Sequence, residues 1–110
     1  MSPRVSRIAA LNDQLRTTFC GGEIMITGGV ASLDEVNRAL VLASVQSFAE
    51  FSLENDPYGE RDFGAIDLPE LEKVFWKIDY YDPKLEFGSE DPSNPGVTRR
   101  VLTIMLASEY

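Results

Sequence analysis

The chain has 110 residues, 44% of them hydrophobic, a length and composition that predict one folded domain with a single core. Eighteen acidic against ten basic residues give a formal charge of −8, which disfavours direct binding to nucleic-acid backbones. The absence of histidine, with a single cysteine, excludes a His-based triad, a His general base and a structural zinc site.

The longest apolar run is far short of the ~20 residues a membrane-spanning helix needs. No apolar stretch follows Met1-Ser2-Pro3-Arg4, so no secretory leader is expected and a cytoplasmic location is. The lone Cys20 fits a reducing compartment and is expected as a small buried residue.

Ser2-Pro3 reads as a helix start, with serine as N-cap and proline at the first helical position. Val5, Ile8, Leu11 or Asn12, Leu15 and Phe19 then recur at helical spacing and predict a helix over residues 3–19. Arg4, Arg7, Asp13 and Arg16 are expected mostly off its apolar face. Gly21-Gly22 is expected to stop it. Residues 23–27 read as a short strand, closed by a turn at Gly28-Gly29.

Ser32-Leu33-Asp34-Glu35 has the pattern of a capping box, with Ser32 as the expected N-cap. Leu33, Val36, Leu40, Ser44, Val45, Phe48 and Phe51 form the expected apolar stripe of a helix from 33 to about 51. Asp56-Pro57 and Tyr58-Gly59 predict a loop, entering a strand over 62–68. In residues 73–81, Val74, Trp76, Ile78 and Tyr80 alternate with Phe75, Lys77, Asp79 and Tyr81, as in a strand with one buried face. Trp76 is expected in the core. Residues 82–98, with three prolines and two glycines, read as a long connection and point to a functional or mobile segment. Residues 99–107 are apolar on both faces and read as a central strand.

The expected fold is therefore α+β. Two helices pack on one face of a small, mainly antiparallel sheet, in the order α-β-α-β-β-β.

Asp56, Glu60 and Asp62 cluster within seven residues, and oxygen-rich loops can bind divalent cations. The calcium-loop pattern is missing, however, so a capped turn in which Arg61 pairs with a carboxylate is expected, with no metal and no cofactor. Asp79-Tyr80-Tyr81-Asp82 alternates carboxylate and aromatic at a strand end. If 62–68 pairs antiparallel with 73–81, Asp62 falls near Asp79 and Tyr81. The acidic loop and the 82–98 connection then meet at one end of the sheet. The candidate binding residues are Asp56, Tyr58, Glu60, Arg61, Asp62, Asp79, Tyr81 and Asp82.

Asn55-Asp56-Pro57-Tyr58-Gly59-Glu60-Arg61-Asp62-Phe63-Gly64, Trp76-Lys77-Ile78-Asp79-Tyr80-Tyr81-Asp82 and the ending Arg100-Val101-Leu102-Thr103-Ile104-Met105-Leu106-Ala107-Ser108-Glu109-Tyr110 carry a resemblance. Together with Ala10-Leu11-Asn12-Asp13-Gln14-Leu15-Arg16, they resemble a family of short bacterial proteins of unknown function. That family is common in alphaproteobacteria and is often found near mobile elements. The resemblance implies no activity. A histidine often stands in it where this chain has Arg61, so chemistry needing that imidazole would not be shared.

Three functions are compatible with these features. The first is a protein-binding or regulatory module, because tyrosines beside a long loop suit an interface. The second is a small carboxylate enzyme or divalent-metal binder. The third is an acidic decoy for nucleic acid, which interspersed basic residues weaken. The expected partner is another protein, with no membrane and no direct nucleic-acid contact; a homo-oligomer is also compatible.

Overall fold

A computed structural model describes residues 2–110. Its elements are α1 (Pro3–Thr18), β1 (Glu23–Ile26), α2 (Gly28–Ala31), α3 (Glu35–Ser47), β2 (Phe63–Ile66), β3 (Val74–Tyr81), β4 (Arg99–Leu106) and a closing 3-10 turn (Ala107–Glu109). They form an α+β fold in which α1 and α3 pack on one face of a four-stranded sheet of order β1-β4-β3-β2.

The period-2 alternation of β3 sets the layering. Val74, Trp76 and Ile78 are buried against the helices, opposite Leu106, Ile104 and Leu102 of β4. With Leu15 of α1, Val30 of α2 and Val41 and Val45 of α3 they make the core. The β3 and β4 ladder runs antiparallel over eight residue pairs, and β2 adds antiparallel with Phe63 opposite Lys77. The sheet is mixed, because β1 joins β4 in parallel, Glu23 beside Val101. A parallel neighbour needs a crossover. Here α2, α3, β2 and β3 all intervene between the two strands, so no short hairpin was available to β1.

Helix α1 starts as its sequence suggests: the Ser2 hydroxyl accepts from Val5 N–H at 3.1 Å. It ends at Phe19, two residues before the glycine pair: the Phe19 N–H still bonds the Leu15 carbonyl, and its left-handed φ of 58° then turns the chain out of the helix. Cys20 is exposed rather than buried, because the chain leaves the helix there and turns outward.

The largest departures concern residues 28–51. Gly28-Gly29 opens the short helix α2 instead of closing a turn, and Ser32 ends that helix. The N-cap of α3 is Asp34, whose carboxylate accepts from Asn37 N–H at 2.7 Å. The helix then stops at Ser47, and Phe48 and Phe51 follow as irregular chain. Its buried residues are Val41 and Val45, while Val36 is 78% exposed. With apolar residues on most sides of this segment, its phase depends on where the sheet lies. Asp34→Ala is expected to cost about 1 kcal/mol and Ser32→Ala only a few tenths. Urea midpoints of the two variants check this, and a larger loss at Ser32 would return the cap to that residue.

Candidate functional site

The candidate site grows from two polar residues on the apolar face of α1. Asn12 and Arg16 lie one turn apart and both are buried. A buried charge or amide persists only when partners satisfy it, and both find theirs in distant segments, with Arg16 Nε alone of their side-chain donors left without one among the described residues.

The Arg16 guanidinium donates to the carbonyls of Val45 (3.1 Å) and Gln46 (3.2 Å), at the C-terminal end of α3, and to Asp13 Oδ1 (3.2 Å). It lies over the rings of Phe51 (5.4 Å) and Trp76 (5.3 Å). Asp13 also accepts from Arg61 Nη1 at 2.8 Å, and the Arg61 guanidinium lies 5.1 Å from the centroid of the same Phe51 ring. One carboxylate and one phenyl ring therefore hold two arginines from segments 45 residues apart. Arg61 adopts φ 56° and its N–H is received by Asp56 Oδ1 at 3.1 Å.

Asn12 donates to the Glu60 carbonyl (3.0 Å) and to the Tyr80 hydroxyl (2.8 Å). The Tyr80 hydroxyl donates in turn to Glu60 Oε1 at 2.7 Å. Arg100, also buried, donates from Nε to Asn12 Oδ1 (2.8 Å) and from Nη2 to the Pro92 carbonyl, with its guanidinium over the Tyr80 ring. Burial, then the Glu60 carboxylate, raises the Tyr80 phenol far above its usual range, so it stays protonated. Burial pulls Arg100 below the ordinary arginine value.

These contacts seat the loop between α3 and β2. Within it Asp56 N–H bonds the Ser52 carbonyl and Gly59 N–H bonds the Asp56 carbonyl. An open cleft of about 590 Å³ lies against this loop. Phe51 and Arg61 line it together with Leu53, Asp56, Pro57 and Tyr58. Leu53 (87% exposed) and Tyr58 (81% exposed) stand in solvent.

Of the residues singled out in the sequence, Asp56, Tyr58 and Arg61 line the cleft, and Glu60 anchors its loop. Asp62 enters β2; its carbonyl accepts from Ile78 N–H, so it lies opposite that residue and beside Asp79. Asp79 and Tyr81 are at the same end of the sheet but on the face away from the helices, in the alternate register to Ile78 and Tyr80. Asp79 pairs there with Lys77 at 2.9 Å. Asp82 caps the following turn, accepting from Glu86 N–H at 2.9 Å.

The 82–98 connection is tied down. Gly88 bridges to Tyr81, Ser89 and Thr98 hydroxyls meet at 2.7 Å, and Arg7 donates to the Ser93 carbonyl at 2.8 Å. Among the described residues no group of three or more Asp, Glu or Cys side chains is placed to hold a metal ion. Among the same residues no helix is long and apolar enough to cross a membrane.

Asn12, Asp13, Arg16, Phe51, Leu53, Tyr80 and Arg100 escaped the sequence reading as site residues. One signal existed: an amide and a guanidinium at i and i+4, within an otherwise apolar stripe of α1.

Burial, reinforced by Glu60, Asp56 and Asp79, raises the Asp62 carboxyl above its ordinary value, against its own backbone hydrogen bond. The native state thus holds this proton to higher pH than the unfolded chain does. Its stabilising contribution is present below the ordinary aspartate value and is lost as pH rises through the folded one. Asp62→Asn is accordingly expected to be more stable than the parent at pH 7, with the gain vanishing near pH 3.5. Asp82, Asp91 and Glu109 run the other way, their carboxylates held low chiefly by hydrogen bonds, so the parent must be measured alongside. Thermal melts of both proteins across that range check this; an equal gain at both ends would refute the assignment.

Fold and site together define a two-layer α+β module with an open, aromatic-lipped cleft held by an arginine–phenylalanine–aspartate clamp. The chain belongs to the family described as Protein of unknown function (DUF3768), whose model matches residues 26–109. No curated protein and no solved structure matches it. The matched segment holds the whole cleft loop, whereas Asn12, Asp13 and Arg16 of α1 lie outside it.

Proposed function

We propose that this is a small cytoplasmic protein-binding module that takes an extended segment of another protein into the cleft between Leu53 and Tyr58. The observation that carries this reading is the exposure of those two large side chains on a loop that is itself rigidly seated. Exposed aromatic and aliphatic residues on a fixed scaffold are what an interface anchor requires. The loop is ordered by Asn12, Asp13 and Tyr80 before any partner arrives, which lowers the entropic cost of binding. Arg61, half exposed at the cleft wall, supplies donors for a carboxylate or carbonyl on that segment. Asp79, Tyr81 and Asp82 are left outside this surface. An exposed free thiol at Cys20 suits a reducing compartment.

The test is affinity capture from the native host with the parent and with Leu53→Asp and Tyr58→Ala. Both substitutions are at exposed positions, so circular dichroism should report unchanged folding. The expected result is a defined protein partner whose capture falls at least tenfold with either variant. Capture unaffected by both would remove the cleft as the contact surface.

A further inference from the structure

The sheet ends at β2, whose outer side meets no other strand. Ile78 N–H donates to the Asp62 carbonyl, and such bonded pairs alternate along an antiparallel ladder. Gly64 and Ile66 therefore turn their backbone groups toward β3. Phe63 and Ala65 turn theirs outward, and among the described residues nothing bonds to them. Native sheet edges are commonly guarded by a lysine, a proline, a bulge or a covering element. Phe63-Gly64-Ala65-Ile66 holds neither lysine nor proline, and its register with β3 runs without a bulge.

The edge strand is fixed in place from both faces. The Phe63 ring meets Phe75 at 5.5 Å on one, and Ile66 packs against the core on the other. Beside the strand runs an open groove of about 440 Å³. Ala65 and Ile66 line it from the sheet, and Ser44, Ser47 and Ala49 line it from the end of α3. Those small residues leave room for the side chains of an added strand. The charged residues of the lining are Glu50 and Asp67, both acidic and both exposed.

We propose that this edge takes up an extended, positively charged segment of another protein as a further strand, paired to the backbone of Phe63 and Ala65. The outward N–H and C=O groups select an extended segment, because only a strand presents donors and acceptors at their spacing. Glu50 and Asp67 select a basic side chain on it, and the −8 charge of the chain draws such a segment in. A second copy of the chain is the wrong occupant. Antiparallel self-pairing centred on Gly64 would set Asp62 of each copy opposite Ile66 of the other, next to Asp67 and the acidic groove. The edge shares no lining residue with the cleft at Leu53 and Tyr58, and its reading does not depend on that one.

Nuclear magnetic resonance titration of the full chain tests this. The probe is a blocked seven-residue peptide of alternating valine and threonine with an arginine at each end. It is expected to bind with a Kd of about 1 mM or tighter, and to shift the amide protons of Phe63 and Ala65 most. The same peptide with glutamate at each end is expected to bind about tenfold more weakly or worse. Ala65→Pro removes an N–H that makes no bond in the fold and is expected to abolish binding. Glu50→Lys with Asp67→Lys, at two exposed positions, is expected to reverse the preference between the peptides. Leu53→Asp should leave the Kd within about twofold of the parent, since it alters only the cleft. The absence of shifts at Phe63 and Ala65 up to about 5 mM arginine peptide overturns the proposal. Binding that survives Ala65→Pro in a folded protein, or a preference that ignores the two lysines, also overturns it. Loss of binding with Leu53→Asp does so too, by moving the peptide to the cleft.

Discussion

Trp76→Ala is expected to destabilise the protein by roughly 3–5 kcal/mol, the usual cost of emptying a large buried aromatic site. The Trp76 ring is fully buried and meets Phe48 (5.5 Å) and Phe51 (6.2 Å) edge-on, with the Arg16 guanidinium over it. On its remaining side lies Gly64 of β2, directly opposite in the ladder. A methyl group at Gly64 would collide with the indole nitrogen, which is why that position has no side chain. No second layer can collapse into the void left by alanine, because the ring is what joins α1, the 48–51 segment and β2.

Against a typical stability of about 5–15 kcal/mol, such a loss would leave a measurable unfolded population at room temperature. Trp76→Phe should cost less than about 2 kcal/mol. Among the described residues the indole N–H has no hydrogen-bond partner, so its removal breaks no bond there and relieves a buried orphan donor. Denaturant midpoints followed by far-ultraviolet circular dichroism compare the three proteins. Equal losses for alanine and phenylalanine would mean that the ring's volume is not what matters.

Arg16→Ala carries the second large effect, again roughly 3–5 kcal/mol, as expected when one member of a buried charged network is removed. Arginine here does the work of a C-terminal cap for a different helix. The last carbonyls of α3 lack donors within the helix and carry its partial negative charge. Arg16 meets the Val45 and Gln46 carbonyls with one nitrogen and Asp13 with the other. Alanine would leave the Gln46 carbonyl without this donor and the Val45 carbonyl with only the Phe48 N–H at 3.3 Å, and would open space beside Trp76. Arg16→Lys should recover little, since a point charge cannot span carbonyls and carboxylate at once or stack between rings. Arg16→Met should recover the packing but not the carbonyls, and fall between. Urea titrations of the four proteins, with slopes compared, test the order. A loss below about 1 kcal/mol for alanine would show that water replaces the guanidinium without penalty. The same variant should also loosen the cleft, because Asp13 would then be held by Arg61 alone.

The two variants mark the boundary between what was readable in the sequence and what was not. Trp76 was placed correctly from the chain alone. The alternation of residues 74–80 is local, and a pleated strand must send alternate side chains to opposite faces whatever surrounds it. The same local logic gave the α+β class, the helix start at Ser2 and the strand character of residues 23–26, 63–66 and 99–106. It failed at α3, where apolar residues on several sides left the phase undetermined and placed Val36 in the core although it is exposed. It also failed to see that β1 pairs in parallel with β4, because pairing depends on how the intervening chain is routed.

Arg16 was expected outside the core because an arginine has no reason to be buried until its partners are known. Those partners are the carbonyls at the end of α3, 29 and 30 residues away. Arg100 is the same case, since its guanidinium is bonded to Asn12, 88 residues distant. Whether a polar side chain is buried is decided by donors and acceptors that only the folded chain assembles. The cleft follows the same rule: its exposed lip was visible in the sequence as Tyr58, while the clamp that holds it exists only where α1, the loop and the sheet meet.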